Sequence, residues 1–344
     1  MLPKVSILIP TLNAGSVIRP CLESIGRQNY PKELVEIILG DGGSTDDTIE
    51  VAQKYGARTV NNPLKTGESG KMAALRYASG EFVALIDSDN ILPDDNWLSS
   101  MIFPLIENPE IVGSEPWEYT WRAEDGFITR YCALIGMNDP ICMFLGNYDR
   151  LNVLYDNWTK IPHTEVDKKN YVIAEFDQKN GLPTIGANGT VFKRDFLVDN
   201  SSGDYLFDID ILATYLAKNE QIKFIKVKNG IIHTFCESDI SKFSRKQKRR
   251  VKDYIYHKSR NDRSYQWTSD SLISQRNLGL IKFVLYCVTV IPLVLQSVLG
   301  YFKKPDKAWA FHPLACEITF YQYVTGFIGG IFKQEQVNRN NWKQ

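Results

Sequence analysis

Short apolar runs alternate with amphipathic stretches through the first third of the chain. The runs are typical of buried strands, and the stretches between them carry apolar residues at helical spacing. The predicted strands are VSILIP (5–10), LVEIILG (34–40), ARTVNN (57–62) and EFVALID (81–87), and the predicted helices cover 14–28, 44–56 and 69–80. Strands and helices that alternate at this pace form βαβ units, so we expect an α/β fold with a parallel sheet flanked by helices.

Polar clusters follow three of the predicted strands. They are Thr11–Asn13, Asp41–Asp47 and Asp87–Asn90. Ligands of open α/β sheets bind beyond the carboxyl ends of the strands. The pattern therefore predicts one ligand site to which all three clusters contribute.

The stretch FVALIDSDN (82–90) ends a buried strand in two carboxylates. Asp87 and Asp89 point the same way if the strand geometry continues, and two ionised carboxylates repel each other. A hard divalent cation, Mg²⁺ or Mn²⁺, would compensate them and leave positions for diphosphate oxygens. A solvated acidic turn would explain the same two acidic residues without a metal, but their position after a buried strand favours the metal site.

Two glycine-containing stretches lie near the same strand ends. GDGGSTDDT (40–48) predicts a turn in which Ser44 caps the next helix, while Asp46 and Asp47 favour its dipole. Asp41 is not explained by that turn and could accept hydrogen bonds from a base or sugar. GESGKM (67–72) is not a phosphate loop, since Lys and Met stand where such loops need Gly and Ser or Thr. Lys71 could still meet a phosphate, although a surface lysine is the simpler interpretation of this motif.

Charge and hydropathy change near residue 235. The whole chain has 40 basic and 40 acidic residues, which does not suggest a nucleic-acid partner. The segment 241–260, however, carries nine Lys or Arg and one Asp, and the uncharged segment 283–302 follows it. Each basic residue near an anionic membrane surface contributes about 1 kcal/mol of binding. The pattern favours a membrane surface over RNA as the partner of this region.

The uncharged segment 283–302 is about as long as a membrane span, which needs about 20 apolar residues. Pro292 and Gln296 interrupt it, and a crossing would carry the lysines of KKPDK (303–307) against the positive-inside tendency. We expect a monotopic or re-entrant helix, with a spanning hairpin or a buried soluble core as alternatives. The N-terminal apolar run is too short for a signal peptide, so the expected location is the cytoplasmic face of the cell membrane.

Together, these motifs resemble the inverting family-2 glycosyltransferases of the GT-A fold, in particular the membrane-associated subgroup that acts on lipid-linked acceptors. The resemblance covers roughly 4–235. VSILIPTLNAG, GDGGSTDDT and GKMAALRYASGEFVALIDSDN resemble the opening strand, the "DDGSTDGT" turn and the block that ends in an acidic DxD. GANGTVFKR and FDIDILATYLA resemble the later "GxNxxFRR" and "EDxDLxxRL" segments. The family's fold is a Rossmann-like, mixed but mostly parallel sheet.

The resemblance implies a role for each matching residue. Asp208 would be the general base, and Asp89 would ligate Mn²⁺ or Mg²⁺, with His233 as a possible further ligand. The remaining residues would bind the nucleotide sugar: Pro10, Thr11, Asn13, Asp41, Lys71, Asp87 and Ser88. Phe207 stands where the family has Glu before the base, which leaves Asp210 as an alternative. Gly15 and Gly42 replace residues that are often acidic in the family.

The implied function is transfer of one sugar from a UDP- or GDP-sugar to a membrane-anchored acceptor, a polyprenyl-linked saccharide or a glycolipid. Single addition is expected because the QxxRW motif of processive synthases is absent. The alternatives are a polyprenyl-phosphate glycosyltransferase similar to the dolichyl-phosphate mannose synthases, a sugar nucleotidyltransferase and a non-catalytic scaffold. The predicted domains are a catalytic domain at 1–235 with an acceptor-side region at 115–182, a basic linker or helix at 236–270, and membrane-associating amphipathic or hydrophobic helices at 271–344.

Overall fold

The computed structural model describes residues 2–260, 263–266 and 274–332. Its strands are β1 (Val5–Thr11), β2 (Val35–Asp41), β3 (Arg58–Asn61), β4 (Phe82–Leu85), β5 (Asn90–Ile91), β6 (Gly113–Thr120), β7 (Thr164–Asp167), β8 (Tyr171–Asp177), β9 (Thr190–Lys193) and β10 (Gln221–His233). Its α-helices are α1 (Gly15–Gly26), α2 (Thr48–Lys54), α3 (Gly67–Leu75), α4 (Trp97–Glu107), α5 (Phe127–Ile135), α6 (Ile141–Leu145), α7 (Arg194–Asn200), α8 (Asp208–Asn219), α9 (Ile240–Ser259), α10 (Gln275–Thr289), α11 (Ile291–Lys303) and α12 (His312–Phe332). Short 3₁₀ helices cover Lys32–Leu34 and Lys307–Phe311.

The chain forms two compact units. The first unit contains the described chain up to Trp117 together with Pro162–His233, and the second contains Glu118–Ile161 and the described residues between Thr234 and Phe332. This division differs from the predicted one, because 118–161 groups with the C-terminal part rather than with the predicted catalytic domain 1–235. The physical reason is the core of the second unit, to which α5 and α6 contribute apolar side chains beside those of α10 and α12.

A mixed sheet forms the centre of the first unit, as predicted. The strand order is β3-β2-β1-β4-β9-β6-β10-β8-β7, and β5 pairs with β10. The strands β3, β2, β1 and β4 are mutually parallel, whereas β9 runs antiparallel to β4. All seven residues of β1 are buried, since the strand lies between two others. The four parallel strands therefore end at one edge, where the polar clusters follow them.

The second unit is a helical assembly around an aromatic core. Phe311 lies at its centre and makes edge-on contacts with Phe127, Tyr131 and Phe243, at centroid distances of 5.2, 5.4 and 5.3 Å. The predicted basic segment 241–260 forms most of α9. Its side chain at Phe243 is fully buried, so one face of this basic helix packs into the core.

The apolar segment 283–302 is divided between two helices. α10 and α11 meet at Val290, which has a positive φ of 58°, and their axes differ in direction by 99°. Among the described residues no single helix has both the length and the apolar character for a membrane crossing, and α10 with α11 meets those two criteria only as a bent pair. Many apolar side chains of the two helices are exposed, for example Val288 at 69% and Phe302 at 77%.

Candidate active site

The ends of β1 and β2 place Thr11 beside Asp41, as partners in the parallel register. The Asp41 carboxylate accepts four hydrogen bonds at this position. Oδ1 accepts from the Thr11 hydroxyl (3.0 Å) and the Ser44 hydroxyl (2.5 Å), and Oδ2 accepts from the backbone N–H groups of Gly43 (2.9 Å) and Ser44 (2.8 Å). A carboxylate has about four acceptor positions. The predicted contact between Asp41 and a base stays a prediction, and it would have to replace one of these bonds.

Asn13 and Ser44 join the loop after β1 to the loop after β2. The Asn13 N–H donates to the Ser44 hydroxyl (2.8 Å), and the Thr45 N–H donates to Asn13 Oδ1 (2.9 Å). Asn13 has a φ of 53°, which asparagine tolerates better than most residues. The prediction that Ser44 caps the next helix is wrong, because its hydroxyl bonds Asp41 and Asn13 instead. The two predicted nucleotide loops thus form one hydrogen-bonded surface.

Asp41→Asn is expected to lower the free energy of unfolding by about 2 kcal/mol, the scale of a hydrogen bond to a charged acceptor. The amide nitrogen of Asn cannot accept, so at least one donor of Thr11, Gly43 or Ser44 loses its partner. Chemical denaturation at neutral pH measures the change. An unchanged free energy of unfolding would show that this carboxylate does not hold the loops.

The space at Gly15 is filled by the two acids of the next loop. A Cβ on Gly15 would lie 1.9 Å from Asp47 Oδ1, and the Gly15 N–H donates to Asp46 Oδ2 at 2.9 Å. Asp46 also accepts from the Thr48 N–H at the start of α2. Burial opposes ionisation of Asp46, but the bonds from Thr48 and Gly15 outweigh it and lower its pKa. Gly15 thus stands where the family often has an acidic residue, and in this chain the carboxylates of Asp46 and Asp47 lie next to that position.

Helix α3 approaches the sheet closely enough to bring Lys71 to the strand ends. A Cβ on Gly40 would lie 2.0 Å from the Gly70 carbonyl oxygen, and a Cβ on Gly70 would lie 2.9 Å from Pro10 Cβ. Only glycine allows this approach. Pro10 is accordingly buried under α3, and Thr66 begins the helix with a reciprocal capping box to Ser69.

Lys71 lies between two carboxylates of the candidate site. Its side chain is 8% exposed, and its Nζ lies 3.5 Å from Asp87 Oδ1 and 4.0 Å from Asp208 Oδ2. Burial alone would lower the pKa of Lys71, but the charges of Asp87 and Asp208 outweigh it, so the pKa is raised. The interpretation of Lys71 as a surface residue is wrong. The structure instead joins the acidic end of β4 to the first residue of α8 through this ammonium group.

Asp208, which the family resemblance implies as the general base, is the first residue of α8. Burial raises the pKa of Asp208 to about 6, against the opposing effects of Lys71 and of the Ile209 N–H. The alternative, Asp210, is 6% exposed and also belongs to the first turn of α8. Asp208 makes the ion-pair contact to Lys71, which favours Asp208 as the residue linked to the rest of the site.

The two carboxylates of the DSD stretch (87–89) contact different partners. Asp87 is held by Lys71, while Asp89 Oδ1 lies 3.2 Å from His233 Nε2 at the end of β10. Both Asp89 and His233 are nearly buried, and Ser88 between the acids is buried. Asp87 and Asp89 are therefore unequal, with different partners, rather than a pair that faces one ion. Among the described residues no group of three or more His, Cys, Asp or Glu is placed to hold a metal.

Two asparagines, Asn90 and Asn188, belong to this corner, and neither has an individual role among the predicted site residues. Asn90 Oδ1 accepts from the Asp87 N–H (2.9 Å), and Asn90 Nδ2 donates to Asn188 Oδ1 (3.1 Å). Asn188 lies in GANGTVFKR, whose match to a family segment was the available signal. The Gly189 N–H next to it donates to the Leu85 carbonyl (3.0 Å), which fixes this segment against the end of β4.

The chain is similar to known glycosyltransferases in sequence and in fold. Residues 6–129 match the family model described as Glycosyl transferase family 2. The poly(ribitol-phosphate) beta-N-acetylglucosaminyltransferase TarS of Staphylococcus aureus (strain Mu50) is 34% identical over 96 residues, 26% of this chain and 17% of that protein. The GalNAc(5)-diNAcBac-PP-undecaprenol beta-1,3-glucosyltransferase of Campylobacter jejuni is 38% identical over 101 residues, 26% of this chain and 31% of that protein. The matched segment spans less than a third of either relative.

A solved structure extends the likeness of fold to nearly the whole chain. It is the mannosyltransferase PcManGT from Pyrobaculum calidifontis in complex with GDP-Man and Mn²⁺, with a TM-score of 0.53 and 15% identity. The match covers 94% of this chain and 88% of that chain. At this identity the likeness shows the fold alone, and that fold agrees with the predicted GT-A architecture. Over residues 6–129 the chain is thus similar in sequence to the family-2 glycosyltransferases.

Proposed function

We propose that the protein transfers one sugar, with inversion, from a nucleotide-diphosphate sugar to the hydroxyl group of an acceptor. The observation that carries this proposal is the position of Asp208, with its pKa raised to about 6, next to Lys71 and the strand-end site. A carboxylate whose pKa lies near neutrality is both ionised and basic enough to take a proton from an attacking hydroxyl. Attack from the side opposite to the leaving diphosphate inverts the anomeric carbon in one displacement.

The donor would bind at the carboxyl ends of β1, β2 and β4. Support comes from the joined loops of Asn13 and Asp41, which present backbone and side-chain polar groups where α/β sheets bind ligands. Lys71 and Asp87 would lie on the diphosphate side of that pocket. The proposed donor is a UDP- or GDP-sugar.

A divalent cation, Mn²⁺ or Mg²⁺, would be held by Asp89 and His233. One carboxylate oxygen and one imidazole nitrogen suit Mn²⁺, and two protein ligands leave coordination positions for diphosphate oxygens. When bound, such an ion offsets the negative charge of the departing diphosphate. Asp89 and His233 already lie 3.2 Å apart, so little rearrangement would be needed for both to face one ion.

The proposed acceptor is anchored in a membrane, as a polyprenyl-linked saccharide or a glycolipid. The Campylobacter jejuni relative is named for an undecaprenol-linked acceptor, which supports the proposal that the acceptor of this chain is lipid-linked. The exposed apolar side chains of α10 and α11 support a location at the membrane. We place the protein at the cytoplasmic face, with the bent helix pair monotopic or re-entrant and an anionic lipid surface as its partner.

A thermal-shift panel of UDP-, GDP- and dTDP-sugars with Mn²⁺ tests the donor site. The cognate donor is expected to raise the melting temperature, since a ligand at 100 times its Kd stabilises the native state by about 2.7 kcal/mol. The Asp89→Asn variant should lose the part of the shift that depends on Mn²⁺. Asp199→Asn, which changes an exposed acid on α7, is the matched control and should behave like the wild type. A panel without any shift would contradict the proposed function.

A further inference from the structure

Two lysines of the second unit each lie over a tyrosine ring, and the charge of one acts on the other. Lys160 Nζ is 3.2 Å from the centroid of the Tyr155 ring, and Lys282 Nζ is 5.1 Å from that of Tyr286. Both tyrosines pack against the core of the unit. Each ammonium group thus lies over the face of an aromatic ring, which attracts cations.

The two cations have no acidic partner among the described residues. Neither Lys160 nor Lys282 forms an ion pair with a carboxylate there. Partial burial over Tyr155, followed by the positive charge of Lys282, lowers the pKa of Lys160 to about 8. Two cations that repel each other favour the binding of an anion, because a negative charge near both offsets their repulsion.

The surroundings indicate what kind of anion fits. Lys282 belongs to α10, where its neighbours one turn away, Leu278 and Leu285, are 51% and 57% exposed. Tyr155 is joined to α11 by a hydrogen bond to its hydroxyl from Gln296 (3.4 Å). On α11 the exposed apolar residues include Ile291 (70%) and Leu299 (58%). The two cations are therefore near helices on which several apolar side chains are exposed.

We propose that Lys160 and Lys282 form a binding site for the phosphate of an anionic membrane lipid, whose acyl chains lie along the exposed apolar side chains of α10 and α11. Lysine side chains with apolar stems and charged ends occupy this position at membrane surfaces, and tyrosine is enriched at the same depth. The site fixes how deeply the bent helix pair enters one leaflet. It does not depend on the identity of the sugar donor, so it is tested without catalysis.

Vesicle binding of the Lys160→Gln/Lys282→Gln variant tests the site. Wild-type protein should bind vesicles of phosphatidylcholine with phosphatidylglycerol, and the double variant should bind about 30-fold more weakly, since each basic residue near an anionic surface is worth about a factor of five. A Lys179→Gln/Lys218→Gln variant removes two exposed lysines of the first unit and should match the wild type. Lys160→Arg/Lys282→Arg keeps the charges and should retain most of the binding.

Three results would overturn the proposal. They are absence of wild-type binding to these vesicles, equal binding by wild type and by a folded Gln variant, and an equal loss in the control variant. Calorimetry with inorganic pyrophosphate separates a soluble anion from a lipid phosphate. Pyrophosphate binding that the Gln variant loses, together with unchanged vesicle binding, would assign the lysines to a soluble ligand instead. Sugar-nucleotide binding in the thermal-shift panel is independent of each of these outcomes.

Discussion

Asp208→Asn is expected to reduce kcat for sugar transfer by about 10²–10⁴-fold, the range that a positioned general base contributes. The amide keeps the size of the side chain but cannot take the acceptor proton. Donor affinity should change little, because the donor loops carry their own hydrogen bonds at Asn13 and Asp41. Initial rates at saturating donor, measured with the nucleotide identified by the thermal-shift panel, give the change in kcat.

Asp210→Asn is the matched control for this experiment, since Asp210 lies on the same first turn of α8. Asp208 Oδ2 lies 4.0 Å from Lys71 Nζ, which connects this acid to Asp87 at the end of β4. The Asp210 variant should therefore keep a kcat within a few-fold of the wild type while it stays folded. A large loss with Asp210→Asn and a small one with Asp208→Asn would move the role of the base to Asp210.

The pH profile gives a second test of the same assignment. Because burial raises the pKa of Asp208 to about 6, transfer by the wild type should fall as pH decreases through that value. The carboxyl group is then protonated and no longer accepts a proton. The acidic limb of the kcat profile should disappear in the Asp208→Asn variant, whose residual rate does not depend on this ionisation.

The strand ends of the first unit were accessible to sequence reasoning because their chemistry is local. A polar residue such as Thr11, Asp41 or Asp87 directly after an apolar run indicates where a strand ends. In a parallel sheet those ends lie at the same edge. The start of α8 at Asp208 also has a local signal, since two acidic residues lie in its first turn. The strand ends needed only the hydrophobic period and the composition of each segment, whereas the role of Asp208 was implied by the family resemblance.

The features that sequence reasoning missed depend on contacts between distant segments. Ser44 has the composition of a helix cap, yet its hydroxyl serves Asp41 and Asn13, 31 residues earlier. Lys71 has the pattern of a surface lysine, but the glycines at 40 and 70 allow α3 to bury it. The grouping of 118–161 with the C-terminal helices follows from a shared core, and no single segment carries a signal for it.

Lys71→Met is expected to lower the free energy of unfolding by roughly 3 kcal/mol at pH 8, in the range for breaking a buried ion pair from one side. Lys71 is the cation within 4.0 Å of both Asp87 and Asp208 in the described residues. Methionine keeps most of the volume but leaves both carboxylates without that charge. Urea denaturation at pH 8 and pH 5 measures the loss at each pH.

The loss should be smaller at pH 5, and the sign follows from Asp208. Its folded pKa of about 6 lies above the unfolded value, so its contribution to stability is present below about pH 4 and is lost as pH rises through 6. Without Lys71 that folded pKa rises further, and the variant loses more stability at pH 8 than at pH 5, where Asp208 is largely protonated. The Lys71→Met/Asp208→Asn double variant should recover part of the loss at pH 8, because it also removes one of the two carboxylates. An equal loss at both pH values, with no recovery in the double variant, would show that packing of Lys71 rather than its charge stabilises the site.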